Sequence, residues 1–123
     1  MLLNLSNHPI KYWEPSQIKA AKTSFVSIID LTFPVVPPEV DSDIILELAR
    51  KYFNKCINII KKYSDEPNAV HVMGEMTFSF AIVSLLMKEN ILCLASTTDR
   101  NTSMIDDAKI SKFKFVKFRK YSF

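Results

Sequence analysis

A chain of 123 residues with 48% hydrophobic content is the size of one compact domain with a real core, and residues 1–123 are expected to fold as a single domain. No apolar run approaches the roughly 20 residues that span a bilayer, and the start "MLLNLSNHP" lacks a basic region followed by an apolar signal core, so a cytoplasmic protein without membrane contact is expected. The net charge of +3 is modest but uneven, because Lys109, Lys112, Lys114, Lys117, Arg119 and Lys120 close the chain with no acidic residue among them.

The elements follow in chain order. "LLNLS" (residues 2–6) is short, apolar and ended by "NHP", which predicts a strand running into a loop. Pro15 suits the first turn of a helix, where its missing N–H costs nothing, and a short helix over 15–22 is expected. "FVSIIDL" (25–31) predicts a second strand, stopped by the proline cluster "FPVVPPEV". Asp41 then stands as the cap of a long amphipathic helix, with Asp43 in its first turn. Its apolar residues, Ile45, Leu48, Ala49, Tyr52, Phe53, Cys56, Ile57 and Ile60, recur at steps of three and four.

"AVHVM" (69–73) predicts a third strand, with His71 a core or sheet-surface residue. "MTFSFAIVSLLMKE" is apolar nearly all round, which predicts a largely buried helix. "ILCLAST" (91–97) has no polar alternation, as expected of a strand covered on both faces. Residues 98–112 read as a polar connection, and "FKFVKF" as a last strand whose Phe/Lys alternation changes phase at Val116. Without a helical crossover before it, that strand should return antiparallel. Cys56 and Cys93 occupy apolar positions with no metal-knuckle or disulfide spacing, and read as reduced core residues.

Right-handed crossovers turn this order into an α/β fold, a single Rossmann-like open sheet that is mostly parallel, of order 2-1-3-4-5, with an antiparallel C-terminal edge strand. Ligands bind such sheets outside the carboxyl ends of the strands where the order reverses, here between the first and third strands. Three exits converge there. "SNHP" offers Ser6, Asn7 and His8, a histidine suited to proton transfer or to a turn fixed by Pro9. "STTDRN" offers Ser96, Thr97, Thr98, Arg100 and Asn101, with Arg100 able to fork two hydrogen bonds onto a phosphate and the hydroxyls equally suited to local capping.

"GEMT" holds Gly74, the chain's one glycine, at a helix start that favours an anion, where the missing side chain makes room for a nucleoside or for tight strand–helix packing. Glu75 beside it repels a phosphate and, with Thr77, suits a sugar hydroxyl, an adenine amino group or plain capping. Trp13 can stack on a base or anchor packing. A single glycine excludes the dinucleotide fingerprint, the phosphate loop and the nucleophile elbow. No metal site and no cofactor are expected, since two distant histidines and scattered carboxylates make no ligand cluster. The remaining set suits binding a phosphate-bearing ligand, or transesterifying RNA through its own 2'-hydroxyl.

The segment "VHVMGEMTFSFAIVSLLMKENILCLASTTDR" resembles the core of small CRISPR-associated proteins related to the CRISPR-associated Rossmann fold. The opening "LNLSNHP", followed by a helix containing glutamine, resembles their start. The resemblance implies a type III antiviral defence protein, usually a homodimer, that binds cyclic oligoadenylate and in several cases linearises it without metal as a ring nuclease. By motif it points to His8, Gly74, Glu75, Thr97, Thr98 and Arg100, while Ser96, Asp99 and the segment "FPVVPPEVD" depart from the pattern. Two other readings stand beside it: a module that only sequesters the same ligand, and a small interaction protein using its basic final strand. No double-stranded DNA partner is expected.

Overall fold

A computed structural model of the chain describes residues 1–105 and 108–123, and the side chains of all of these except 101–105 and 108–112. The apolar run "LLNLS" forms β1 (Leu2–Ser6), which lies between two parallel neighbours, β2 (Ile28–Asp30) and β3 (Ala69–Met73). Outside β3 come β4 (Leu92–Ile105), parallel to it, and β5 (Ala108–Lys120), antiparallel to β4. The five-stranded sheet therefore has the order β2-β1-β3-β4-β5, the expected open α/β arrangement with its antiparallel edge.

Helices cover both faces. On one side α2 (Ser42–Lys61) and α3 (Met76–Lys88) pack over Leu3, Leu5, Val70, Val72 and Cys93. On the other, α1 (Pro15–Ser24) stands alone over Leu2, Ala69 and Leu94, with Trp13 and Phe25 at its flanks. Alternation along each strand sends odd and even residues to opposite layers, so Asn4, His71 and Ser96 face the α1 side. One helix of 10 residues does not roof that whole face.

Several boundaries differ from expectation. β2 is three residues long rather than seven, because Phe25 closes α1 with its N–H on Ala21 and packs beneath it. Asp41 occupies the cap position of α2, but its side chain makes no capping hydrogen bond. The outer face of α3 is bare: Met76 and Phe80 are 84% and 76% exposed, since neither α2 nor the sheet reaches them.

The largest correction concerns residues 98–112, which are strand as far as Ile105 and again from Ala108 rather than a polar connection. Ladder pairing needs only backbone groups, and an arm that runs beyond the apolar layers has no use for apolar alternation. The change of phase at Val116 has a structural counterpart. Thr97 pairs with Lys117 and Thr98 with Phe115, leaving Val116 as the extra residue of a β-bulge. The bulge lets Phe118 reach the face that Phe113 and Phe115 occupy, despite its odd spacing from them.

Candidate functional site at the carboxyl ends of the central strands

β3 pairs with β4 only through Leu92, Cys93 and Leu94. Beyond Leu94 the β4–β5 ribbon continues past the ends of β1 and β3, and its α1-side face becomes a wall. Between this wall, the β1 exit and the N-terminal end of α1 lies a cleft of about 360 Å³. Ser6, Asn7 and His8 line it from β1, Met73 from β3, Ser96 and Thr98 from β4, and Glu14 and Gln17 from the start of α1. Tyr12, Phe113 and Phe115 supply aromatic walls.

A polar ladder runs under this cleft. Register places Asp30, Asn4 and His71 directly opposite one another across β2, β1 and β3. Asn4 Nδ2 donates to Asp30 Oδ1 at 2.8 Å and to the His8 carbonyl at 3.0 Å, which leaves Asn4 Oδ1 as an acceptor. Ser6 Oγ and His71 Nδ1 each lie 2.8 Å from that oxygen. His71 must therefore carry its proton on Nδ1, and its bare Nε2 accepts from Ser96 Oγ at 2.6 Å. Gln17 Nε2 donates to the same Ser96 oxygen at 3.1 Å.

His71 is 2% exposed and packed edge-on against Trp13 and Phe118. Burial, and secondarily the nearby His8, push its pKa down from 6.5 to about 4, so the imidazole is neutral near pH 7.

The predicted site residues divide into three groups. Ser6, Asn7, His8, Ser96 and Thr98 converge in the cleft. Strand alternation sets Arg100 on the same face as Thr98, opposite Phe113, whose ring centroid lies 5.6 Å from its guanidinium carbon. Thr97 points to the other face, where its hydroxyl donates to the Lys117 carbonyl and accepts from the Lys117 N–H, bracing the bulge. The side chain of Asn101 lies outside the described residues.

The remaining group stands apart from the cleft. Gly74 has an ordinary negative φ, but a Cβ there would overlap the Phe33 ring, 2.7 Å from its Cε1. The proline-rich segment before α2 thus seats Phe33 on the one bare Cα of the chain. Glu75 caps α3, accepting from the N–H groups of Thr77 and Phe78 and from the Thr77 hydroxyl. That hydroxyl, then the Phe78 and Thr77 N–H groups, hold its carboxyl below the ordinary carboxylate range. Trp13 is buried, and its Nε1 donates to the His8 carbonyl, fixing the β1 exit loop.

Asn4, Asp30, Gln17 and His71 were missed as site residues. Asn4 and His71 left a signal, each being a lone polar residue inside an apolar strand, but their partnership needs the register.

Fold and cleft together define an open-sheet α/β protein with a polar-floored, aromatic-walled cleft at its topological switch point, where such folds bind their ligands. The chain belongs to the family described as the Uncharacterized protein MJ1673 family, whose model matches residues 1–119. No curated protein and no solved structure matches it. Among the described residues no cluster of His, Cys, Asp and Glu is placed to hold a metal, and no helix is long and apolar enough to cross a membrane.

Proposed function

We propose that this protein binds cyclic oligoadenylate in the cleft and opens the ring by metal-independent transesterification, as a ring nuclease of type III CRISPR signalling. The observation that carries the reading is the convergence of Ser6, Asn7 and His8 with Ser96 and Thr98 at the switch point, two segments some 90 residues apart brought to one aromatic-walled cleft. Tyr12, Phe113 and Phe115 give adenine a surface to stack on. Thr98 and Arg100 project from one face of β4 toward the phosphate, and exposed His8 at the lip serves proton transfer. Thr97, turned onto Lys117, supports the wall instead of meeting the ligand.

The cleft is of nucleotide size rather than ring size, which supports a homodimer with the ring held on a twofold axis. The reading places the protein in the cytoplasm, with neither membrane nor double-stranded DNA as a partner. Calorimetric titration with cyclic tetra- and hexa-adenylate in EDTA tests it. Saturable binding of one ring per two chains, weakened at least about tenfold by Arg100→Ala, is expected for a charge-assisted phosphate contact. No heat from either ring at high protein concentration rejects it.

A further inference from the structure

A polar ladder leads from exposed Asp30 through buried Asn4 and His71 to Ser96, a residue that lines the cleft. Asn4 and His71, in register with Asp30 at the rim, are buried in a layer otherwise built from Leu2, Ala69, Leu94, Trp13 and Phe25, where apolar side chains would fill the space without needing partners. Every hydrogen bond in the ladder has a settled direction. The Asn4 amide N–H groups face Asp30 and the His8 carbonyl, so Asn4 takes the His71 Nδ1–H, and His71 Nε2 takes the Ser96 hydroxyl hydrogen. Ser96 thus spends its only hydrogen on the floor. Its oxygen also accepts from Gln17, which leaves one lone pair uncommitted on a residue that lines the cleft.

A hydroxyl that donates a short hydrogen bond, 2.6 Å here, becomes a stronger acceptor through polarisation. The cleft floor is therefore built to receive a hydrogen from its ligand. Among the polar groups of cyclic oligoadenylate, the 2'-hydroxyl is the one whose hydrogen must leave for the ring to open.

We propose that Ser96 is a catalytic residue that accepts the hydrogen of the ligand's attacking 2'-hydroxyl, with His71 and Asn4 as the positioning residues that hold its oxygen in the accepting orientation. This deepens the cyclic-oligoadenylate reading and rests on it. In the step, the O2'–H bond breaks as Ser96 Oγ takes that proton and passes its own to His71 Nε2. O2' bonds to phosphorus while the P–O5' bond breaks, and His8 at the lip relays a proton from water to O5'. The products are a 2',3'-cyclic phosphate and a 5'-hydroxyl, and the resulting hydroxide recovers, through Ser96, the proton that His71 holds. Asn4 has no charge to offer a protonated His71, so the imidazolium is short-lived and the turnover slow.

The test is a cycle between protein and ligand. Affinities of wild type and Ser96→Ala are measured for cyclic tetra-adenylate and for its all-2'-deoxy analogue, which cannot react, and cleavage of the ribose ring is followed in parallel. Wild type should prefer the ribose ring by about five- to tenfold, the range of one net hydrogen bond, and Ser96→Ala should bind both rings equally. The alanine variant should lose most of its kcat with a smaller change in KM. His71→Gln, which can still donate to Asn4 and accept from Ser96, should retain the preference, whereas His71→Leu should lose it. Circular dichroism on each variant separates misfolding from loss of the contact, and Ser96→Thr, which keeps the hydroxyl, supplies a rescue.

Equal preference for the ribose ring in wild type and Ser96→Ala overturns the role of Ser96 while leaving the ligand reading intact. Failure of wild type to bind either ring overturns both.

Discussion

His71 should make the protein acid-sensitive in a window set by its burial. In the unfolded chain its imidazole titrates near 6.5, but in the folded chain burial holds it neutral down to about 4. As pH falls through 6.5, the unfolded state gains a proton that the native state refuses, so stability present above 6.5 drains away until pH reaches about 4, where the folded state protonates too. A depression of about 2.5 units at about 1.36 kcal/mol per unit gives a loss of about 3 kcal/mol across that window, from His71 alone. For a chain of this length that corresponds to a fall in Tm of roughly 10–20 °C.

Urea unfolding of wild type and His71→Gln at several pH values checks the figure, because subtracting the two removes the carboxylates and His8 common to both. The difference should shrink by about 3 kcal/mol as pH drops from 6.5 to 4, in favour of the variant. Parallel pH profiles for the two proteins, or a native His71 resonance titrating near 6.5, would refute the placement of His71 as a buried, neutral imidazole.

Other perturbations test separate parts of the structure. Gly74→Val should destabilise the fold by about 1–3 kcal/mol through collision with the Phe33 ring, and pairing it with Phe33→Leu should recover part of that loss in thermal melts. Glu75→Gln should lower Tm at neutral pH by weakening the α3 cap; in wild type the cap's contribution is present above the ordinary carboxyl pKa of 4.5 and lost as pH falls below it, a limb the variant should lack. Cys56 and Cys93, buried with thiols pushed up to about 12, should resist a disulfide reagent in the native state and react at once in denaturant. Rapid native labelling of either would contradict its placement in the core.

Periodicity made the fold legible because the layers are separated by apolar pattern. The 3.6-residue stripe of α2, the short apolar runs of β1 and β4 and the absence of a crossover before β5 led to the strand order that the sheet adopts. Where apolar pattern ceased to matter, so did legibility: the β4–β5 arm beyond Thr97 is held by backbone pairing, and a polar strand looks like a loop. The same error bundled "STTDRN" into a single cluster. As a strand it alternates, so Ser96 and Thr98 line the cleft with Arg100 on their face, while Thr97 turns away.

Gly74 was legible as a place of close approach, but its neighbour, Phe33, comes from a proline-rich segment with no periodicity to read. The Asp30–Asn4–His71 ladder was illegible for a different reason. Its members lie in separate strands, and only the register that β1 adopts against both neighbours makes them partners.

Ring opening is tested most directly by one incubation: protein in molar excess over cyclic tetra- or hexa-adenylate, in EDTA, resolved by chromatography and mass spectrometry. A ring should be converted to linear products ending in a 2',3'-cyclic phosphate, and Arg100→Ala and Ser96→Ala should each abolish or greatly slow the conversion. Recovery of both rings intact after prolonged incubation with folded wild-type protein would contradict it.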